Sequence, residues 1–128
     1  MRNLNLKVAL IIYGAIHIVQ GIIMLVAPER MINLSGFEAL WSPGSSEYLL
    51  AIIGGAFIAA GVWFAVTGLA PLQNINGVRF AILWAGLLLV VPLFTLGYDY
   101  VNFGHIWFIV VQNAIFAASF LIFYPYRR

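Results

Sequence analysis

This 128-residue chain is 64% hydrophobic and only 8% charged, with a formal net charge of +2 at pH 7. Soluble domains run at about 45–50% apolar and about 25% charged. Too little charge is present to coat a globule, which excludes a water-soluble enzyme, a nucleic-acid binder and a disordered chain. The absence of cysteine removes disulfides, thiolate metal sites and thiol redox chemistry.

What remains is a single integral membrane domain over residues 1–128. A helix crossing a hydrocarbon layer about 30 Å thick needs about 20 mostly apolar residues. Four stretches qualify. Span one runs from Val8 to Ala27. Its apolar core is about twice the usual signal-peptide length, and Leu25-Val26-Ala27-Pro28-Glu29 offers no small-x-small cleavage site, so it reads as an uncleaved span. Residues 28–47 form an outer segment in which Met31, Leu34, Phe37, Leu40 and Trp41 recur at three- or four-residue steps. That pattern suits a short helix lying in the interface, broken at Ser35-Gly36 and ended by Ser42-Pro43-Gly44. A lipid-lying connector is favoured over a substrate lid.

Ser45 or Ser46 can cap span two, Tyr48 to Thr67. Asn74-Ile75-Asn76-Gly77 reads as a turn before span three, Phe80 to Leu96. Span three is short, at about 17 residues, and Pro92 predicts a local kink in it. Span four runs from Ile106 to Tyr124. Tyr98-Asp99-Tyr100 and Trp107 fit an outer aromatic belt, Tyr124 and Tyr126 an inner one. None of the spans holds Asp, Glu, Lys or Arg. With no water to satisfy exposed amides all four must be helices, and the alternation a β-barrel needs is absent. The fold class is therefore all-α, an up-down-up-down four-helix bundle in which spans one and four also touch.

Arg2, Lys7, Arg79, Arg127 and Arg128 lie on one side of the membrane. Arg30 lies on the other with every acidic residue: Glu29, Glu38, Glu47 and Asp99. The positive-inside rule puts both termini in the cytoplasm of a multi-pass inner-membrane protein. Reporter fusions at Arg128 and after Trp41 are expected to report opposite sides, and a shared side would overturn the four-span topology.

Small residues let membrane helices approach closely. Gly54, Gly61 and Gly68 of span two are spaced by seven, with Ala65 following Gly61 and Ile58 interrupting the seam. Gly14 and Gly21 of span one repeat the spacing. Gly55 with Ala59, and Ala56 with Ala60, add further small pairs, so span two is expected to contact two neighbours.

Intramembrane polar groups are where function would hide, since each needs a partner. Tyr13, His17 and Gln20 share one face of span one, with His17 near the midplane. Gln112 and Asn113 of span four come out at the depth of Gln20, which predicts a shared cluster. Helix-to-helix glue is the favoured role, ahead of a ligand-binding cavity. A metal or porphyrin role for His17 is disfavoured, because His105 sits at a different depth and the two cannot clamp one haem.

Other activities fall by what the residues lack. Proton-coupled pumping needs an embedded carboxylate. Small multidrug exporters carry a glutamate in the first span, where His17 stands here. Dual-orientation fluoride channels lack such a charge bias, and a two-cysteine quinone-linked enzyme is excluded. No nucleophile–base–acid set, phosphate loop or metal spacing occurs, so no catalytic residue, metal or cofactor is assigned.

Several features resemble the DoxX-like small membrane proteins of bacteria. These are Gly21 followed by Ala27-Pro28-Glu29, then Leu49-Leu50-Ala51-Ile52-Ile53-Gly54-Gly55-Ala56-Phe57 leading to Gly61. The basic turn at Arg79 and the aromatic-basic tail also fit. The resemblance covers nearly the whole chain and implies a four-span fold. Some relatives are associated with membrane oxidoreductase systems, with quinone among their partners. It carries no catalytic residue across.

The first functional expectation is a non-enzymatic accessory or scaffold subunit, docking membrane-protein partners or a second copy through span two or the outer segment. The second is a binding protein for a small lipophile, a quinone or lipid, between spans one and four. In that reading His17 and Gln20 give hydrogen bonds, and Phe116 or Trp84 give contact area. An isomerase or oxidoreductase acting on a membrane lipid ranks third, since only His17 could join an acid–base pair.

Overall fold

The computed structural model describes residues 1–35, 45–98 and 102–126, apart from the side chains of Arg2, of residues 32–35 and of Ser45 and Ser46. These residues form five helices and no strand. They are α1 (Arg2–Val26), α2 (Pro28–Ser35), α3 (Ser45–Leu69), α4 (Ile75–Gly97) and α5 (Phe103–Phe123). All but α2 are long and apolar enough to cross a membrane. The chain is a small multi-pass membrane protein with an all-α four-helix bundle.

The outer surface is unlike that of a soluble bundle. The interior takes the polar side chains of His17, Thr67, Gln112 and Asn113, while Leu83, Leu87, Val90 and Phe94 of α4 all face outward. Such an apolar exterior would aggregate in water and is what a lipid solvent requires.

α1 and α3 make the most intimate pair. A Cβ placed on Gly14 would lie 2.6 Å from the Gly61 carbonyl oxygen, and one on Gly21 would lie 2.5 Å from that of Gly54. At Gly68 it would meet the Ile11 side chain at 2.8 Å. As α1 ascends from Ile11 to Gly21, its partners descend from Gly68 to Gly54, so the helices run antiparallel with backbones touching. Ile58 does not interrupt this seam. It packs against Gly21, filling the room that the absent side chain leaves. The second long neighbour expected for α3 is α4, met through the rings of Phe57 and Phe64 and not along the Gly55–Ala59 face. Gly55 has nothing near it, and Ala56 and Ala59 are exposed. Near the connection of α3 and α4, Gly77 also packs closely against Thr67.

The turn into α4 comes earlier than expected. The amides of Gln73 and Asn74 both close onto the Ala70 carbonyl, and the Asn74 side-chain amide donates to the same oxygen at 3.2 Å. Ile75 to Gly77 are thereby free to form the first helical turn, and α4 reaches 23 residues instead of about 17. The helix continues through Pro92, beyond which the Thr95 hydroxyl donates back to the Pro92 carbonyl at 2.7 Å.

The core lies in the half of the bundle near the chain termini, where Leu6, Leu10, Phe64, Val78, Ala81, Ala85 and Phe120 are buried together. α4 has no buried residue beyond Ala85. α2 includes Met31 of the expected interfacial helix. Phe37, Leu40, Trp41, the Ser42-Pro43-Gly44 stop, Asp99, Tyr100, Arg127 and Arg128 lie outside the described residues, as does the Leu34 side chain.

Candidate functional site

One face of α1 carries Tyr13, His17 and Gln20 into the bundle, because steps of four and three residues keep a helical face constant. Tyr13, His17 and Asn113 are fully buried, and Gln112 is 9% exposed. The cluster expected across α1 and α5 resolves into two direct pairs. The Tyr13 hydroxyl donates to Asn113 Oδ1 at 2.5 Å, and Gln20 Nε2 donates to Gln112 Oε1 at 3.0 Å. Asn113 uses its amide nitrogen on the Ile109 carbonyl of its own helix, at 2.8 Å.

His17 engages a different helix. The Trp84 indole N–H of α4 donates to His17 Nε2 at 3.0 Å, and His17 Nδ1 lies 2.9 Å from the Tyr13 carbonyl oxygen. An indole N–H can only donate and a carbonyl oxygen can only accept. The imidazole is therefore neutral, with its proton on Nδ1 and its Nε2 lone pair occupied. No hydrogen bond joins it to Gln112 or Asn113. Tyr13 is the connection, accepting from His17 through its carbonyl and donating to Asn113 through its hydroxyl.

Aromatic rings close around this network. The imidazole stacks on Phe57 with centroids 4.9 Å apart and meets the edge of Phe64 at 5.6 Å. Tyr13 packs on Phe116 at 4.6 Å and Phe120 at 5.3 Å. Trp84 and Phe116, expected to give contact area in a ligand site, contact His17 and Tyr13 directly. Such rings at offset and edge geometries fill space and add electrostatic preference to their buried area.

Chemically, the arrangement holds three helices in one rotational setting. Neither nitrogen of His17 is free to take a metal or abstract a proton without breaking a buried hydrogen bond. Among the described residues no group of three His, Asp or Glu side chains could hold a metal ion. His105 is partly buried near the start of α5, away from His17. Two surface grooves lie elsewhere: one of about 330 Å³ beside Lys7 and Pro71, the other of about 190 Å³ beside Arg79 and Tyr124.

Two residues take roles the sequence reading did not give them. Trp84 is the hydrogen-bond partner of His17, and its signal was position. An indole well inside a span, far from both aromatic belts, must find an acceptor within the bundle. Arg79 donates from Nε to the Tyr124 hydroxyl at 3.0 Å, joining α4 to the residue after α5. No family model, curated protein or solved structure matches this chain.

Proposed function

We infer that the protein works without catalysing a reaction, as an accessory or scaffold subunit of a bacterial inner-membrane assembly. The observation that carries this reading is the closure of the interior. His17 is engaged at both nitrogens, and the Tyr13 hydroxyl and both ends of the Asn113 amide are engaged as well. Apart from the side-chain oxygen of Gln20, the polar groups of this cluster are used on one another or on the backbone. The resemblance to DoxX-like proteins, which carries no catalytic residue, fits the same role. Partners would dock on the small-residue face of α3 that the bundle leaves uncovered, at Gly55 and Ala59.

Purification of the full chain in mild detergent, with mass spectrometry of proteins and small molecules, tests this. A membrane protein is expected in stoichiometric amount. It should be lost when Gly55→Leu or Ala59→Leu fills the open face, with the melting temperature unchanged. A chain that purifies alone with a stoichiometric small molecule would reverse the reading.

One observation favours a second reading, a binding protein for a small lipophile between α1 and α5. Gln20 Oε1 is buried and accepts no hydrogen bond. Exchanging the oxygen and nitrogen of this amide leaves a buried donor unpartnered instead. A buried orphan of this kind calls for an explanation. The hydroxyl of a lipid or a reduced quinone suits the free acceptor. In this reading Gln20→Leu abolishes the co-purifying molecule while the chain stays folded.

A further inference from the structure

The second groove lies between α4 and the end of α5 and is lined by Arg79, Ile82, Leu121, Tyr124 and Tyr126. Arg79 is exposed there, yet it is held in place. Its Nε donates to the Tyr124 hydroxyl at 3.0 Å, and its Nη1 reaches Asn76 Oδ1 at 3.5 Å. Nη2 makes no hydrogen bond among the described residues. The Tyr124 ring packs against Tyr126 with centroids 5.0 Å apart, which steadies the hydroxyl that positions the guanidinium.

Among the described residues no acidic side chain lies in this groove to answer the cation. The acidic side chains among the described residues, Glu29 in the first turn of α2 and Glu47 in the first turn of α3, lie at the other end of the bundle. An oriented guanidinium presents a planar fork that matches phosphate oxygens. The Tyr124 hydroxyl accepts from Arg79 and keeps its own proton to donate to an anion. Next to these polar groups, Ile82 and Leu121 continue the groove as apolar wall along the membrane-facing surface. A charged head with an apolar tail fits both parts, whereas a free anion would use only the first.

We propose that the groove of Arg79, Tyr124 and Tyr126 holds the phosphate of one anionic phospholipid, its acyl chain lying against Ile82 and Leu121. Basic pockets between membrane helices are established sites for such headgroups. Tyr124 is a positioning residue that aims the guanidinium, and Arg79 binds the phosphate.

Native mass spectrometry of the full chain, equilibrated with an equimolar mixture of phosphatidylglycerol and phosphatidylcholine, tests this. Wild type is expected to retain one phosphatidylglycerol preferentially. Arg79→Gln should lower that enrichment about tenfold, since it removes the charge-assisted fork. Arg79→Lys keeps the charge but lacks the fork, and should lose most of the preference. Tyr124→Phe, which keeps shape and charge, should lower it by a smaller factor and so reports the positioning even where Arg79→Gln fails to fold. Lys7→Gln, in the other groove of the same face, should leave it unchanged. Equal loss in Lys7→Gln would mean diffuse attraction and overturn the site. So would equal retention of the two lipids by wild type, or displacement of the lipid by inorganic phosphate alone.

Discussion

Gly61→Ala is expected to destabilise the detergent-solubilised protein by about 1–3 kcal/mol, the usual cost of overpacking a close contact. Gly55→Ala on the same helix should leave stability unchanged or slightly raised. A methyl group on Gly61 would stand 2.6 Å from the Gly14 carbonyl oxygen and 2.8 Å from Ile18 Cγ1. The first of these atoms is backbone and cannot rotate away, so α1 and α3 must separate along the seam. Separation forfeits dispersion contacts over the whole pair, and lipid offers no hydrophobic drive to restore them. At Gly55 and at Gly97 nothing lies within 4 Å of an added methyl. Replacing glycine by alanine within a helix gains roughly 0.5–1 kcal/mol in intrinsic preference. Thermal melting of Gly61→Ala, Gly55→Ala and Gly97→Leu decides the matter. Equal losses in all three would show that the α1–α3 seam does not limit stability.

The second large effect concerns His17 and Trp84. His17→Leu should cost about 1–3 kcal/mol, because it strands the Trp84 indole N–H where no water can reach it. Trp84→Phe should cost a similar amount by stranding the His17 Nε2 lone pair. Combining the two removes both orphans, so the double variant should be less destabilised than the sum of the singles. The coupling expected is about 0.6–2 kcal/mol, the range for hydrogen bonds between membrane helices. A structural pair behaves in this way. Strictly additive losses would mean that the bond contributes nothing to the bundle, and would move the case towards a ligand-binding His17. The same cycle on Tyr13→Phe and Asn113→Leu probes the neighbouring pair, whose members are both fully buried.

These two sites also separate what a chain of residues declares from what packing decides. The number of membrane helices is legible because the bilayer imposes a one-dimensional rule. Each crossing must satisfy its own backbone amides within a run of apolar residues, and such runs can be counted. The seam is half legible for a related reason. Gly14, Gly21, Gly54, Gly61 and Gly68 repeat at seven residues, so each set keeps to one face. Which face meets which neighbour is not contained in that spacing. Ile58 reads as an interruption until Gly21 is seen opposite it, and the Gly55–Ala59 pair reads as an interface until it is seen uncovered.

The polar cluster marks the limit more clearly. Composition and spacing put Tyr13, His17 and Gln20 on one face of span one, with Gln112 and Asn113 at matching depth across the bundle. Partner choice then depends on the rotation and lateral offset of each helix, which three-dimensional packing sets. A shift of a few ångströms decides whether an imidazole meets an amide of α5 or the indole of α4. The start of α4 was hidden likewise, since it depends on where the chain reverses. Counting apolar residues begins the helix at Phe80. The closure of Gln73 and Asn74 onto the Ala70 carbonyl begins it at Ile75 and brings Gly77 onto Thr67. The bilayer as solvent determined the class of fold and the number of helices from sequence alone. Helix rotation, the pairing of polar groups and the faces left open came from contacts between residues far apart in the chain.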